Sequence, residues 1–215
     1  MKIAVIAADG RSGSRFVEAA LVAGHSIRAG VRNENSQKSH PNLVVVHCDA
    51  TSSEDLHDLL SGQEAVASFI GHVRGSASDI QTVAIQKTVG VMKELGIRRI
   101  VSLTGTGVRF PGDKISLIDR LLNLGIYVLD RARVTDGKNH VKVLEESGLD
   151  WTVVRVLKLQ DMHESPIELN LHGPTKWYVS RQEAAEAVLE VLEQDSFMQQ
   201  APIIGKSRPH AMHSK

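Results

Sequence analysis

Short apolar runs alternate with longer amphipathic stretches along most of the chain. The apolar runs are rich in β-branched residues and hydrophobic at nearly every position, as is typical of strands buried on both faces. The stretches between them carry apolar residues at helical spacing, often behind a Ser or Thr cap. The predicted strands are 3–6, 26–31, 43–46, 65–70, 99–103, 151–156 and 201–204, and the predicted helices are 16–23, 53–60, 79–95, 115–129, 135–147 and 181–192.

This alternation predicts an α/β fold, a doubly wound parallel sheet of the Rossmann type. Successive parallel strands need crossover connections, and helices of this length serve as right-handed crossovers that cover both faces of the sheet. With 215 residues and 42% hydrophobic content, the chain is long enough for one sizeable core and short for two. We therefore expect one domain over residues 1–205 and a flexible tail over 206–215.

Charge and cysteine content narrow the classes of partner and compartment. The 25 Lys and Arg residues balance 25 Asp and Glu residues, so no positive field attracts nucleic acid or an anionic membrane. No apolar run approaches the length of a membrane span or a signal peptide. The one cysteine, Cys48, excludes an intrachain disulfide and fits a reducing compartment. We expect a soluble, cytoplasmic protein with neither nucleic acid nor membrane as a partner.

A glycine motif occupies the turn between the first strand and the first helix. It has the spacing of a dinucleotide-binding fingerprint, with Ala7 at the first glycine position. Gly10 would let the backbone approach a pyrophosphate, Gly13 would let the helix pack close to the strand, and helix amides would face the anion. Alanine fits at position 7 only if its φ is not positive. An ordinary strand-to-helix turn is the alternative. The predicted cofactor residues here are Ala8, Gly10, Arg11, Ser12 and Gly13.

The end of the second strand indicates which nicotinamide cofactor fits. An acidic side chain there accepts hydrogen bonds from the adenosine ribose of NAD, whereas a basic one pairs with the phosphate of NADP. Here the strand ends in Val31-Arg32-Asn33, and Arg32, together with Arg11, offers planar donors suited to a phosphate. We expect NADP as the cofactor, with NAD as the alternative, and a solvated loop residue as the alternative role of Arg32.

With these motifs, the chain resembles the atypical short-chain dehydrogenases/reductases, a group that includes NmrA-like proteins, NADH-flavin reductases and biliverdin reductase B. The resemblance implies that Asp49 and Ala50 line the adenine, that Ile70 and Gly71 flank the cofactor, and that Thr104 borders the nicotinamide as the catalytic candidate. Asp49 could instead cap the segment that follows it. The resemblance also implies a small substrate-side region over 157–178. It covers about residues 1–195 and is carried by Met1 to Gly13, Gly24-His25, Val31-Arg32-Asn33, Cys48-Asp49-Ala50-Thr51, Arg98 to Thr104 and Ser147 to Arg155.

The acid-base pair of standard short-chain dehydrogenases is missing from the sequence. Those enzymes use Tyr-x-x-x-Lys on one helical face, with the tyrosine as proton donor. Here Tyr127 and Tyr178 are followed four residues later by Arg131 and Gln182, and Gly137 lies near the usual lysine position. Hydride transfer to a planar acceptor that needs no tyrosine remains open, namely a flavin, a quinone or a linear tetrapyrrole. A non-catalytic, NADP-sensing regulator of the NmrA-like type is the alternative, and a sugar-nucleotide epimerase is disfavoured.

Other side chains fall near the predicted cleft. His72 and Arg74 could hold an anionic substrate or donate a proton, or could lie in a solvated loop. Trp177 and Tyr178 could stack on a planar acceptor or simply pack. Relatives end the sixth strand in Arg-Pro, whereas Arg155 precedes a valine here, so we expect a less restrained substrate loop.

The remaining candidates are assigned structural roles. His140 and His163 are expected to be structural or solvent-facing. Neither the ten histidines nor Cys48 has the spacing of a metal site, and G-x-S-x-G is absent, so we expect no catalytic metal and no hydrolase chemistry. A homodimer formed through the long middle helices remains open.

Overall fold

The computed structural model describes residues 1–32, 39–114, 117–161 and 166–206. The strands are β1 (Lys2–Ile6), β2 (Ser26–Val31), β3 (Leu43–His47), β4 (Ala65–Ser68), β5 (Arg99–Gly105), β6 (Asp150–Val156), β7 (Leu159–Gln160), β8 (Ile167–Asn170), β9 (Val179–Ser180) and β10 (Ile203–Lys206). The helices are α1 (Arg11–Val22), α2 (Ser53–Leu60), α3 (Ile80–Leu95), α4 (Leu117–Leu129), α5 (Arg131–Glu145) and α6 (Arg181–Glu193).

An eight-stranded sheet runs through the molecule in the order β3-β2-β1-β4-β5-β6-β10-β8. The pairs from β3 to β10 are parallel, and only β8 runs antiparallel, at the edge beside β10. The order reverses at β1, where Ile3 pairs with Ile27 of β2 on one side and with Ala65 of β4 on the other. Ligands of such sheets bind at this reversal, beyond the carboxyl ends of the strands. The predicted doubly wound α/β fold is confirmed.

Each face of the sheet has its own apolar layer. On one face α1 and α6 pack against each other, and Phe16 is fully buried between them and the sheet. The other layer is formed with α2, α3 and α5. Residues of β1 alternate between the layers, Ile3 and Val5 belonging to the first and Ala4 and Ile6 to the second. Because both faces are covered, the strand is apolar at nearly every position, which is the pattern that predicts it.

Two helices begin earlier than their apolar spacing predicts. Helix α1 begins at Arg11. The apolar spacing predicts a start only at Phe16, because the residues before it in the helix are polar or glycine. Helix α5 begins at Arg131, where the side chain of Asp130 caps it by accepting a hydrogen bond from the backbone N–H of Arg133 at 3.1 Å. The predicted bounds of β2 and α2 are confirmed, and residues 115–116 of the predicted fourth helix lie outside the described residues.

Three short strands near 157–178 were not predicted, because two to four residues carry too little periodicity. Strand β7 pairs with β9 in a small second sheet, and β8 extends the main sheet. The predicted flexible tail lies outside the described residues from 207 onwards, as does His163. No helix in the described part of the chain is long and apolar enough to cross a membrane.

Candidate functional site

A cavity of about 400 Å³ lies beyond the carboxyl ends of β1 to β6. Of the predicted site residues, Ala8 and Gly13 do not line it: Ala8 is fully buried and Gly13 packs behind the turn. The structure brings the others together along its wall, namely Gly10, Arg11, Ser12, Arg32, Asp49, Ala50, Ile70, Gly71 and Thr104.

The glycine turn leaves the N-terminus of α1 open toward this cavity. Gly10 is the N-cap in an extended conformation, so no side chain caps the helix, and the first turn carries no acidic residue. A Cβ on Gly13 would overlap the carbonyl oxygen of Ala7, and a Cβ on Gly10 would lie 3.1 Å from that oxygen. Backbone amides with no capping side chain, on a turn that a Cβ at Gly13 would obstruct, suit a diphosphate. The turn therefore fits the dinucleotide that the sequence motif predicts.

Ala7 corrects one expectation. Its φ is 60°, in the left-handed region, although alanine at the first glycine position was expected only with a negative φ. For a residue with a Cβ this conformation costs about 1–2 kcal/mol. The turn thus keeps the backbone path of a full glycine motif despite the alanine, and the chain carries strain at the cleft.

The adenosine end of the cavity is formed after β2 and β3. The Oδ1 atom of Asp49 accepts hydrogen bonds from the backbone N–H of Thr51 at 2.9 Å and from its hydroxyl at 2.8 Å. These two bonds, helped by the nearby Arg32, lower the pKa of Asp49 below its ordinary value. Asp49 therefore holds its own turn, as the alternative interpretation expected, while also lining the cavity.

Cys48 lies in the same wall but has no nucleophilic character. Burial, with the nearby Asp55 as the next cause, raises the pKa of its thiol to about 12. The side chain therefore stays protonated at neutral pH, as the thiolate and not the thiol is the reactive form.

At the other end of the cavity, Thr104 of β5 faces Gly137 of α5. Thr104 is buried and lines the cavity, and a Cβ on Gly137 would lie 3.2 Å from its hydroxyl oxygen. The helix backbone thus approaches Thr104 closely at Gly137, which the sequence resemblance predicts to lie near the usual lysine position. Tyr127 and Tyr178 are both exposed and lie outside the cavity wall.

Asp136, which the sequence did not single out, joins α5 to α3 behind this wall. It is buried, and its carboxylate accepts hydrogen bonds from the backbone N–H groups of Gln81 and Thr82 at 2.9 Å each. It thereby caps the first turn of α3 from another helix. His72 lines the cavity and donates to the same carboxylate at 2.9 Å, so its imidazole is engaged with Asp136 although the loop around it is exposed. Its contact with a substrate stays a prediction. Arg74 is exposed and outside the cavity wall, which matches the solvated alternative.

His140 lies one turn further along α5 and is fully enclosed. Its Nε2 atom is 3.0 Å from the hydroxyl of Ser102, and its Nδ1 atom is buried with no hydrogen-bond partner in the described part of the chain. Burial lowers the pKa of His140 to about 4, although Asp136 opposes this shift. The imidazole is therefore neutral at ordinary pH and has the structural role that was expected.

Arg155 overturns the prediction of a less restrained substrate loop. Its guanidinium donates to both carboxylate oxygens of Asp113, at 2.6 and 2.9 Å, and to the carbonyl oxygens of Val108, Leu171 and Ala201. It is 1% exposed, so this ion pair is shielded from solvent. One side chain of β6 thereby ties together the two loops that follow β5 and β8.

Two arginines that the sequence analysis missed complete the cavity wall on this side. Arg181 is the first residue of α6 and pairs with Asp161 at 2.8 Å, and Arg133 in the first turn of α5 pairs with Asp130 at 3.2 Å. The only available signal was the position of Arg181 directly behind the capping Ser180. Trp177 and Tyr178, predicted as stacking candidates, lie outside the wall and are exposed.

Among the residues that the structure describes, no three His, Cys, Asp or Glu side chains come together as metal ligands. The sheet order, the open helix N-terminus and the cavity at the strand reversal define a Rossmann-type dinucleotide-binding protein. A family model described as NAD(P)H-binding matches residues 7–195, and the chain belongs to that family. This confirms the resemblance noted from the sequence motifs.

One curated relative is a chloroplastic protein of Arabidopsis thaliana, itself uncharacterised. It is 25% identical over 164 residues, which cover 72% of this chain and 58% of that protein. The matched segment therefore spans well under two thirds of the relative's length.

Solved structures share the fold at low identity. A short-chain dehydrogenase/reductase of Veillonella parvula, crystallised with NADP, has a TM-score of 0.79 at 18% identity and covers 99% of this chain and 96% of its own. A Streptococcus pneumoniae protein provisionally named an NADH-flavin reductase has a TM-score of 0.74 at 22% identity, with coverages of 96% and 100%. An oxidoreductase of Lactococcus lactis has a TM-score of 0.78 at 16% identity, with coverages of 97% and 92%.

Proposed function

We propose that the chain is an NADPH-dependent reductase whose acceptor is a flavin, a quinone or a similar planar compound. The observation that carries the proposal is the close approach of α5 to Thr104 at Gly137, where a Cβ would lie 3.2 Å from the hydroxyl oxygen and the chain carries no lysine. Bound NADPH supplies a hydride, and the acceptor takes it up and draws any further proton from solvent. An acceptor of this kind needs no tyrosine as proton donor.

The charges at the adenosine end support NADP over NAD. Arg11 and Arg32 line the cavity there, and Asp49, the one carboxylate among the described lining residues, is already engaged with Thr51. Guanidinium groups bind phosphate oxygens through paired, charge-assisted hydrogen bonds. We therefore expect Arg32→Gln to weaken NADPH binding while leaving NADH binding nearly unchanged.

The wall beside Thr104 supports a planar acceptor. It is formed largely by apolar side chains with few polar groups, which is the usual composition of a site that buries an aromatic ring system. Thr104 supplies a hydroxyl at this point, and we assign it the role of positioning the nicotinamide. The apolar members of the wall are Phe69, Ile70, Val73, Leu103, Val156, Leu157 and Leu159.

The test is NADPH oxidation with menadione or FMN as acceptor. The reaction is measured as the loss of the reduced-nicotinamide absorbance. We expect steady oxidation by the unmodified protein and at least about ten-fold lower kcat/KM for Thr104→Val, because a group that touches the cofactor is lost. Thr88→Val is the matched control, since Thr88 is buried in α3 away from the cavity and bonds only to its own helix. NADPH binding without oxidation of NADPH in the presence of either acceptor would contradict the reductase.

A second candidate, an NADP-sensing regulatory protein, is favoured by one surface. Along α4, Leu117, Leu121, Leu124 and Val128 are 58–77% exposed and recur at helical spacing. An exposed apolar stripe of this kind is typical of a surface that meets another protein, including a second copy of the chain. A sensor would bind NADP⁺ and NADPH with different affinities and reduce neither acceptor. Sedimentation analysis with and without nucleotide would reveal self-association.

A further inference from the structure

The positive side chains of the cavity fall into two groups. Arg11 and Arg32 lie at the adenosine end, beside the single carboxylate of the wall, Asp49. Arg133 and Arg181 belong to the first turns of α5 and α6, on the side where β5, β6 and β7 end. The described lining residues on that side include no carboxylate. The first group and the N-terminus of α1 would bind the phosphates of a nicotinamide dinucleotide, so no part of that cofactor is assigned to the second group.

Arg181 is held in a way that suits ligand binding. Its side chain is 9% exposed, whereas the side chain of its partner Asp161 is 68% exposed. The ion pair engages one terminal nitrogen of a guanidinium that carries five N–H donors. Burying a guanidinium against a solvated carboxylate recovers little of its lost hydration, so an anion inside the cavity would stabilise it further.

Arg133 lines the same cavity from α5. Its side chain is 54% exposed and its partner Asp130 is 42% exposed, so their ion pair is screened by water and contributes little stability. Apolar residues, Leu157 and Leu159 among them, line the wall on the same side. The two charges thus border a surface that favours an aromatic ring system.

We propose that the acceptor is an anionic planar molecule, an aromatic ring system carrying a phosphate or carboxylate, and that Arg181 binds this group with help from Arg133. This inference rests on the proposed reductase function and narrows its acceptor class. The ring system packs against Leu157 and Leu159 beside the nicotinamide, and the anionic group determines which of two otherwise similar acceptors binds. A purely structural ion pair between Arg181 and Asp161 is the competing explanation.

FMN and riboflavin provide the test, because they share one ring system and differ in a phosphate. Binding is measured by quenching of flavin fluorescence on protein saturated with NADP⁺, so turnover is not needed. We expect FMN to bind at least about ten-fold more tightly than riboflavin, and Arg181→Gln to abolish that difference without changing riboflavin affinity. Arg181→Lys, which keeps the charge and loses the paired geometry, should retain part of it. The matched control is Arg98→Gln, an exposed arginine paired with Asp150 outside the cavity.

Three results would overturn the inference. Equal affinity of the unmodified protein for FMN and riboflavin would show that the anionic group is not recognised. If Arg181→Gln loses affinity for FMN and riboflavin equally and has a lowered Tm, Arg181 has a structural role. If Arg181→Gln loses as much affinity for NADPH as for FMN, Arg181 binds the cofactor and not the acceptor. If Arg181→Gln does not fold, two other measurements test the inference. The preference for FMN over riboflavin must fall in Arg133→Gln, and it must also fall in the unmodified protein as the salt concentration rises.

Failure of the reductase function is distinguishable from failure of this inference. A preference for FMN that depends on Arg181, with no NADPH oxidation in the presence of either flavin, would leave the anion site standing and remove the enzyme. Oxidation of NADPH at equal kcat/KM with both flavins would leave the enzyme standing and remove the anion site.

Discussion

The two ends of the cleft are held in shape by different parts of the chain, backbone at one end and buried polar side chains at the other. At the adenosine and phosphate end, the structure depends on backbone: Gly10 and Gly13 allow a turn that a Cβ would obstruct, and Ala7 adopts the conformation of the glycine it replaces. At the acceptor end, it depends on buried polar side chains, with Asp113 bonded to Arg155 and Asp136 bonded across two helices. The first end is specified locally, the second by contacts between distant parts of the chain.

This difference separates binding from stability. A backbone turn can lose its ligand when a single Cβ is added, whereas a buried charge network fails by leaving an unpaired charge inside the protein. Substitutions at the acceptor end should therefore have the larger effect on the free energy of unfolding, and those at the glycine turn should act first on nucleotide affinity.

The largest effect is expected from Asp113→Asn. It removes the charge that compensates Arg155, which is 1% exposed, so the free energy of unfolding should fall by about 3–5 kcal/mol. Urea denaturation measures the change. Asp58→Asn is the matched control, because Asp58 also pairs with an arginine, Arg28 at 2.6 Å, but its side chain is 61% exposed and the loss should stay below about 1 kcal/mol. Equal losses in the two variants would contradict the comparison.

The next effect is a pH dependence of stability that depends on His140. Burial holds its pKa at about 4 in the folded protein, below its ordinary 6.5, so the unfolded chain binds the proton more readily between these values. The free energy of unfolding is therefore unaffected by the titration of His140 above pH 6.5. It falls by on the order of 3 kcal/mol as the pH falls toward 4, because the unfolded chain then binds a proton that the folded protein does not. Urea titrations at pH 7 and pH 4.5 should show this loss, and His140→Gln should reduce it. An unchanged pH dependence in the variant would contradict the assignment.

Gly13→Ala is expected to act mainly on binding. Its Cβ would overlap the carbonyl oxygen of Ala7, so the turn must shift, which should cost about 1–3 kcal/mol of stability and abolish measurable NADPH binding in a fluorescence titration. Gly90→Ala is the control, because a Cβ on that helical glycine has no atom within 4 Å. It should stabilise the protein by about 0.5–1 kcal/mol and leave NADPH affinity unchanged. Normal NADPH affinity in Gly13→Ala would exclude this turn as the phosphate site.

The smallest expected effect is a gain in stability at the glycine turn. Ala7→Gly removes a Cβ at a φ of 60°, so it should raise the free energy of unfolding by about 0.5–1 kcal/mol after the added entropy of the unfolded chain is subtracted. Ala132→Gly, on the exposed face of α5, should lower it by about 1 kcal/mol. Urea denaturation would show the opposite signs. A loss in both would mean that position 7 is not strained.

The sequence predicts the first end of the cleft better than the second for the same physical reason. Short apolar runs and a glycine motif are local, so the strands from β1 to β6 and the residues Gly10 and Arg32 can be found from local patterns, whereas Asp49 was implied by the family resemblance. Arg133 and Arg181 resemble ordinary surface residues at helix starts, and Asp136 resembles a solvated helix position. The burial of Arg181 and Asp136, and the place of Arg133 in the cavity wall, arise only when α5 and α6 dock onto the sheet. Trp177 and Tyr178 failed as candidates because aromatic character says nothing about which way a loop turns.

The packing of α1 against α6 has a consequence for how the chain is made. The two helices form one layer of the core, although about 170 residues separate Val22 from Glu193. During synthesis at roughly 5–20 residues per second, the apolar side of α1, with Phe16, would wait on the order of ten seconds or more for its partner. Until α6 has been synthesised, the apolar side of α1 therefore lacks this partner, and a chaperone that binds amphipathic helices is expected to bind there.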